Sequence, residues 1–266
     1  MGRGSGNRGP APFGRGNKRR ARTREQRGTH RMPARPLSQF KYMSFDVVGT
    51  LIDFESGLTG ALAAIAAEKG VDFDPERALD LYRAARYMPG VGHFPDDLVR
   101  VYKVIAPDLG LPADDAHAAR LRDAVPGWKP FADSVAAMAK LKGRYRLIAM
   151  TNAQRWAFEH FSAALGHPFH ASFTVDDTGV EKPDPAFFRQ VFAFVESEGA
   201  GKDDILHVAQ SQYHDIGVSR DLGMTNCWIQ RRHAQKGYGG TIEPAEFTTP
   251  DHHFTSMAEL AEAATA

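Results

Sequence analysis

Asp46, Thr151-Asn152, Lys182 and Asp215 fall in four separate stretches of the sequence. Three of them follow short apolar runs. Lys182 stands in a loop, Val180-Glu181-Lys182-Pro183-Asp184-Pro185, ahead of a helical pattern. Two carboxylates, one ammonium and several hydroxyl or amide groups form a set that can do covalent chemistry. An ionised carboxylate is a nucleophile when a substrate is held in line with it. A nearby cation keeps it ionised by lowering its pKa, a part Lys182 can play. Thr50, four residues on from Asp46, can donate a hydrogen bond to one of its oxygens. Thr151 and Asn152 can hold substrate or an oxyanion. Asp215 can fix Lys182 or help activate water, and Gln212 is a further polar candidate.

Such residues need a frame that brings them together. Five apolar runs read as strands: 41–48, 146–150, 172–175, 205–209 and 225–229, with a short edge strand at 253–255. Helical patterns at 134–141, 153–165 and 185–198 lie between several of them. This alternation predicts an α/β fold with a parallel sheet covered on both faces. Ligands of such sheets bind beyond the carboxyl ends of the strands, where the polar residues above fall. The gap between the first two strands is too long for one crossover and carries four helical stretches. Residues 58–127 therefore read as a helical cap, and 37–57 with 128–266 as the core.

Composition narrows the rest. The chain has 266 residues, 42% hydrophobic and 24% charged, ordinary for a globular protein. No apolar run approaches the roughly 20 residues of a spanning helix, so no membrane association is expected. A single cysteine, Cys227, rules out an internal disulfide framework and a Cys-based zinc cluster. It is compatible with a cytoplasmic location, which is the expectation. Eleven of the 33 Lys and Arg lie in residues 1–36 beside one acid, Glu25, leaving the body net acidic. This Arg/Gly-rich tail lacks the apolar surface to offset its chain entropy and reads as disordered. An Arg/Gly segment can neutralise RNA phosphates, but the favoured reading is a solvated extension, and no nucleic-acid partner is expected.

Each residue also has a plain alternative. A strand-end Asp is commonly a turn or cap residue, and a helical Arg is commonly a solvated ion-pair partner. Ser211, His214 and Asp215 carry the letters of a hydrolase triad but lie too close together to assume one. His252-His253 lacks a second ligand pair for a metal. Gly237-Tyr238-Gly239-Gly240 is no phosphate loop and reads as a mobile surface loop.

Phe45-Asp46-Val47-Val48-Gly49-Thr50-Leu51 resembles the first motif of the haloacid dehalogenase superfamily, and Thr151-Asn152 the second. Lys182-Pro183-Asp184-Pro185 resembles the third, and the stretch from His207 to Asp215 the fourth. The resemblance implies a Rossmann-like core with an inserted helical cap. Phosphatases of this superfamily usually carry a second Asp two residues after the nucleophile; Val48 stands there and cannot shuttle a proton. The chain is more similar to the L-2-haloacid dehalogenases, whose fourth motif also ends in Asp.

That resemblance implies a small-molecule substrate, no cofactor, Asp46 as nucleophile, Lys182 as its counter-charge and Asp215 in support. Thr151 and Asn152 would hold the substrate carboxylate. Leu81-Tyr82-Arg83 resembles the setting of a cap arginine, so Arg83 is the candidate, with Arg77, Arg86 and Arg100 behind it. A homodimer is expected by the same resemblance. Gln210 and Gln212 replace the smaller Ser and Asn of that family's fourth motif, and Phe188 a frequent Tyr. The alternative is a magnesium-dependent phosphate or phosphonate hydrolase, with Asp46, the Val48 carbonyl and Asp215 holding Mg2+.

Overall fold

The computed structural model describes residues 35–86 and 88–266. The expectation for the tail concerns residues that, up to position 34, lie outside these. Strands β1 (Tyr42–Phe45), β2 (Arg146–Met150), β3 (Ala171–Phe173), β4 (Ile205–Ala209), β5 (Thr225–Ile229) and β6 (His252–Phe254) form one sheet. Their order is β3-β2-β1-β4-β5-β6, and every pair is parallel. β1 and β4 are buried along their whole length, as central strands covered on both faces must be. β1 ends at Phe45, before the apolar run does, so Val47 and Val48 belong to the turn that follows.

Helices α1 (Phe54–Lys69), α2 (Pro75–Ala85), α3 (Leu98–Ile105) and α4 (Asp115–Asp123) occupy the insertion between β1 and β2. Asp53, Asp74 and Asp114 cap three of these, each accepting from backbone N–H groups of the first turn. α1 closes at Gly70 in the left-handed conformation that glycine adopts without strain. α5 (Ser134–Lys142), α6 (Arg155–Ala164), α7 (Val175–Thr178), α8 (Pro185–Ser197), α9 (Gly217–Asp221) and α10 (Met257–Thr265) complete the chain.

Two apolar clusters fasten these layers. The larger joins one face of the sheet, through Met43, Phe45 and Leu206, to the four inserted helices and to α5 and α10. The smaller packs Phe187, Phe188, Val191 and Val195 of α8 against Tyr42, Ile148 and Met150. Each buried side chain of this size contributes about 1.5–3 kcal/mol. Cys227 is buried in β5, and burial pushes its thiol up, so it is unreactive at neutral pH. Among the described residues no helix is long and apolar enough to cross a membrane.

Candidate active site

The chain leaves β1 toward β2 on one side and later returns to β4 on the other. A crevice opens where such a sheet reverses direction, beyond the carboxyl ends of β1 and β4. Asp46 follows β1 directly and its N–H donates to Val208 of β4. Thr151 follows β2, and Gln210 follows β4. Lys182 arrives from the loop before α8, whose turn is set by Asp184 capping Ala186 and by Pro185 in the first helical turn.

The Lys182 ammonium stands between the two carboxylates. It donates to Asp46 Oδ1 at 3.0 Å and to Asp215 Oδ1 at 2.7 Å. Thr50 Oγ1 donates to Asp46 Oδ2 at 2.5 Å and accepts the Gln210 N–H at 2.9 Å. Each Asp46 oxygen thus accepts one of these bonds and keeps a second lone pair. Asp46 is 8% exposed, Lys182 2% and Asp215 fully buried, so Asp46 alone of the three reaches toward solvent.

Burial pushes the Asp46 carboxyl above the usual carboxylate range, aided by the Asp215 charge; Lys182 and Thr50 oppose this without overcoming it. Burial also pushes Asp215 up, but Lys182 and His207 outweigh it and hold it down at about 2. Lys182 is disfavoured by burial, yet the two carboxylates raise its pKa and keep it charged. Asp215 is therefore the permanent anion that anchors Lys182, and Asp46 is the carboxylate that can gain or lose a proton.

A second layer stands behind Asp215. His207 Nε2 donates to Asp215 Oδ1 at 3.1 Å, and its Nδ1 lies 2.9 Å from Ser44 Oγ. Both residues are fully buried on β4 and β1. A histidine inside the otherwise apolar strand Ile205-Leu206-His207-Val208-Ala209 was the available signal for this support.

The other expected residues divide. Thr151 lines the cavity, its Oγ1 accepting from Ala153 N. Asn152 also lines it, but its amide is engaged with Lys182: Nδ2 donates to the Lys182 carbonyl at 2.8 Å and Oδ1 accepts the Lys182 N–H at 2.7 Å. Its visible work is to hold the lysine loop. Arg83 lines the cavity too, with its guanidinium bonded to the Gly239 carbonyl and to Asp80. Arg86 is the other lining arginine, held by Asp97 at 2.5 Å. Arg77 and Arg100 are bonded to the Asp108 carbonyl and to Asp97.

Gln212 is a correction. It does not line this cavity; its Oε1 accepts the Thr248 N–H at 3.1 Å, and it borders a neighbouring pocket that shares Gln210 and Thr241 with this one. The reason is local. Gln212–Ile216 is one turn of π-helix, wider than an α-turn, so residues three apart no longer share a face and Asp215 points in while Gln212 points away.

Part of Gly237–Gly240, read above as a mobile surface loop, borders the site. Gly240, Thr241 and Ile242 line the cavity, so this segment lies as a strap along it. Gly240 N–H donates to Glu55 Oε1 at 3.1 Å, and Arg83 and Arg232 hold the same junction. A Cβ on Gly240 would meet the Phe54 ring at 2.3 Å. Gly239 and Gly240 approach α1 closely, and Gly239 also takes a positive φ of 56°. His214, a further lining residue, is pushed down to about 4 by burial and is neutral at pH 7. Its Nδ1 lies 3.1 Å from Ser211 Oγ, so those two letters of the apparent triad do meet, without a link from His214 to Asp215.

The Lys182 ammonium bonds one oxygen of Asp46 and one of Asp215, leaving the second oxygen of each carboxylate outside these bonds. Asp215 Oδ2 accepts no bond but is sealed from solvent. Among the described residues no three His, Cys, Asp or Glu side chains cluster as a metal site.

The haloacid dehalogenase-like hydrolase family model matches residues 40–208. The chain belongs to this family. Its first, second and third motifs lie inside that span, on the turn after β1, the end of β2 and the lysine loop. An (S)-2-haloacid dehalogenase of Pseudomonas putida is 25% identical over 230 residues, covering 81% of this chain and 92% of that protein. The structure of the L-2-haloacid dehalogenase from Xanthobacter autotrophicus with chloropropionic acid covalently bound superposes with a TM-score of 0.64 at 20% identity, over 84% of this chain and 97% of that one. A magnesium-bound putative hydrolase of the same family, YfnB of Bacillus subtilis, superposes with a TM-score of 0.70 at 16% identity, over 86% of this chain and all of that one. At these identities both structures speak to the fold, a Rossmann-like α/β hydrolase core.

Proposed function

We propose that this hydrolase cleaves the carbon–halogen bond of 2-haloacids through an ester on Asp46. A free lone pair of the Asp46 carboxylate attacks C2, the C–halogen bond breaks, and halide leaves with the bonding pair. Water then adds to the carbonyl carbon of the ester. The C–O bond from that carbon breaks, releasing the 2-hydroxy acid and a proton and restoring the carboxylate. Lys182 holds Asp46 in place and lowers its pKa against the push of burial, Asp215 and Asn152 hold Lys182, and Thr50 fixes the second oxygen.

The observation that carries this reading is the Asp46–Lys182–Asp215 triplet with Val48 in place of an acid. Halide is a weak base and leaves without a proton, whereas an alkoxide leaving from phosphorus needs a general acid. The name of the P. putida relative points the same way. Chloride release from 2-chloropropionate that is unchanged by chelator is the expected result. Magnesium-dependent phosphate release from a chromogenic ester, without chloride release, would replace this reading with the phosphatase one.

A further inference from the structure

The cavity above Asp46 measures about 430 Å³. That is the room of about fourteen waters at the ~30 Å³ each takes in the liquid. It falls in the range of roughly 300–1,000 Å³ that holds drug-sized ligands. 2-Chloropropionate, with six non-hydrogen atoms, would leave most of it filled with water.

The space is also polarised. Its floor is Asp46 and Thr151 at strand ends, with Lys182 from the loop before α8. Its wall carries an apolar patch, Phe54, Tyr82, Val91 and Phe94 from the inserted region with Ile242 from the strap, beside which Arg83 and Arg86 also line the space. The aromatic part of that wall is fixed in advance. The Phe54 ring lies 5.0 Å from Tyr82, 6.2 Å from Phe94 and 5.5 Å from Trp128, tilted or edge-on in each case. Close approach of Gly240 holds the strap against the same Phe54 ring. A preformed apolar wall rewards a ligand that covers it and leaves water poorly bonded otherwise.

Resting on the dehalogenation reading, we propose that the substrate is a 2-haloacid bearing a phenyl-sized or larger apolar group, which packs on the Phe54–Tyr82–Phe94–Ile242 wall while its C2 meets Asp46. Binding of that remote group supplies energy that orients the reacting carbon, so the effect falls on kcat/KM.

The test compares chloride release from 2-chloropropionate, 2-chlorohexanoate and 2-chloro-3-phenylpropionate by the unaltered protein. The expected result is a kcat/KM for the phenyl acid at least tenfold above that for 2-chloropropionate, with 2-chlorohexanoate between. Ile242→Trp, which fills the wall side, should lower the ratio of phenyl acid to 2-chloropropionate at least tenfold. Calorimetry with halogen-free acids should find 3-phenylpropionate bound at least tenfold more tightly than propionate. Equal or falling kcat/KM along the series, or equal binding of the two halogen-free acids, overturns the inference and leaves dehalogenation standing. No chloride from any of the three acids overturns the dehalogenation reading, and this inference with it.

Discussion

The floor and the wall of the cavity are built on different physics. The floor is made of charges at the ends of parallel strands, each fixed by a named partner, from Ser44 through His207, Asp215, Lys182 and Asp46 to Thr50. The wall is made of apolar rings on inserted helices and loops, closed by a glycine strap. Reaction chemistry needs sub-ångström placement, which strand ends and buried ion pairs provide. Selection among substrates needs shape, which exposed helices and loops can vary without disturbing the sheet.

Floor substitutions should therefore abolish chemistry, and changes away from the floor should be mild. Asp46→Asn removes the nucleophilic charge while keeping its size; turnover should fall more than about a thousandfold, with the circular dichroism spectrum and melting temperature near wild type. Lys182→Met should lower kcat by about a hundredfold or more. It also leaves two buried carboxylates sharing no cation, and chemical denaturation should register a loss of about 3–5 kcal/mol.

The pH profile follows from the raised Asp46 pKa. As the proposed nucleophile Asp46 must be ionised, so kcat/KM should fall as pH drops through its pKa, and the acid limb should lie above the ordinary aspartate value of about 3.9. The Lys182 charge lowers that pKa, so residual activity in Lys182→Met should show its acid limb at still higher pH. At the small end, Gln212→Ala should change kcat/KM less than about twofold, because its side chain bonds to the Thr248 backbone outside the cavity. A tenfold loss there would put Gln212 back among the substrate contacts.

The same division governs what the sequence discloses. Asp46 and Thr151 were legible because they stand at the ends of apolar runs, and Lys182 because its loop opens a helix with Pro and Asp. Buried strands and capped helices are local patterns, so the sheet and the inserted helices could be read with errors of only a few residues, as at Val47 and Val48. Gln212 was misplaced because a single π-turn, invisible in the letters, rotates it away from Asp215. The place of the strap was not legible, because Gly239-Gly240 carries no mark of the Phe54 ring, nearly two hundred positions away, that it approaches. Arg83 was found as a lining residue, but its grip on the Gly239 carbonyl is a long-range contact with no sequence signature.

The most direct test of the central claim is a single turnover in water enriched in oxygen-18, with enzyme in excess over a 2-haloacid. An ester on Asp46 predicts that the first hydroxy acid carries unlabelled oxygen at C2 and that the peptide containing Asp46 gains the label. Label in the first product, with none in that peptide, would mean that water attacks the carbon directly and that Asp46 is not the nucleophile.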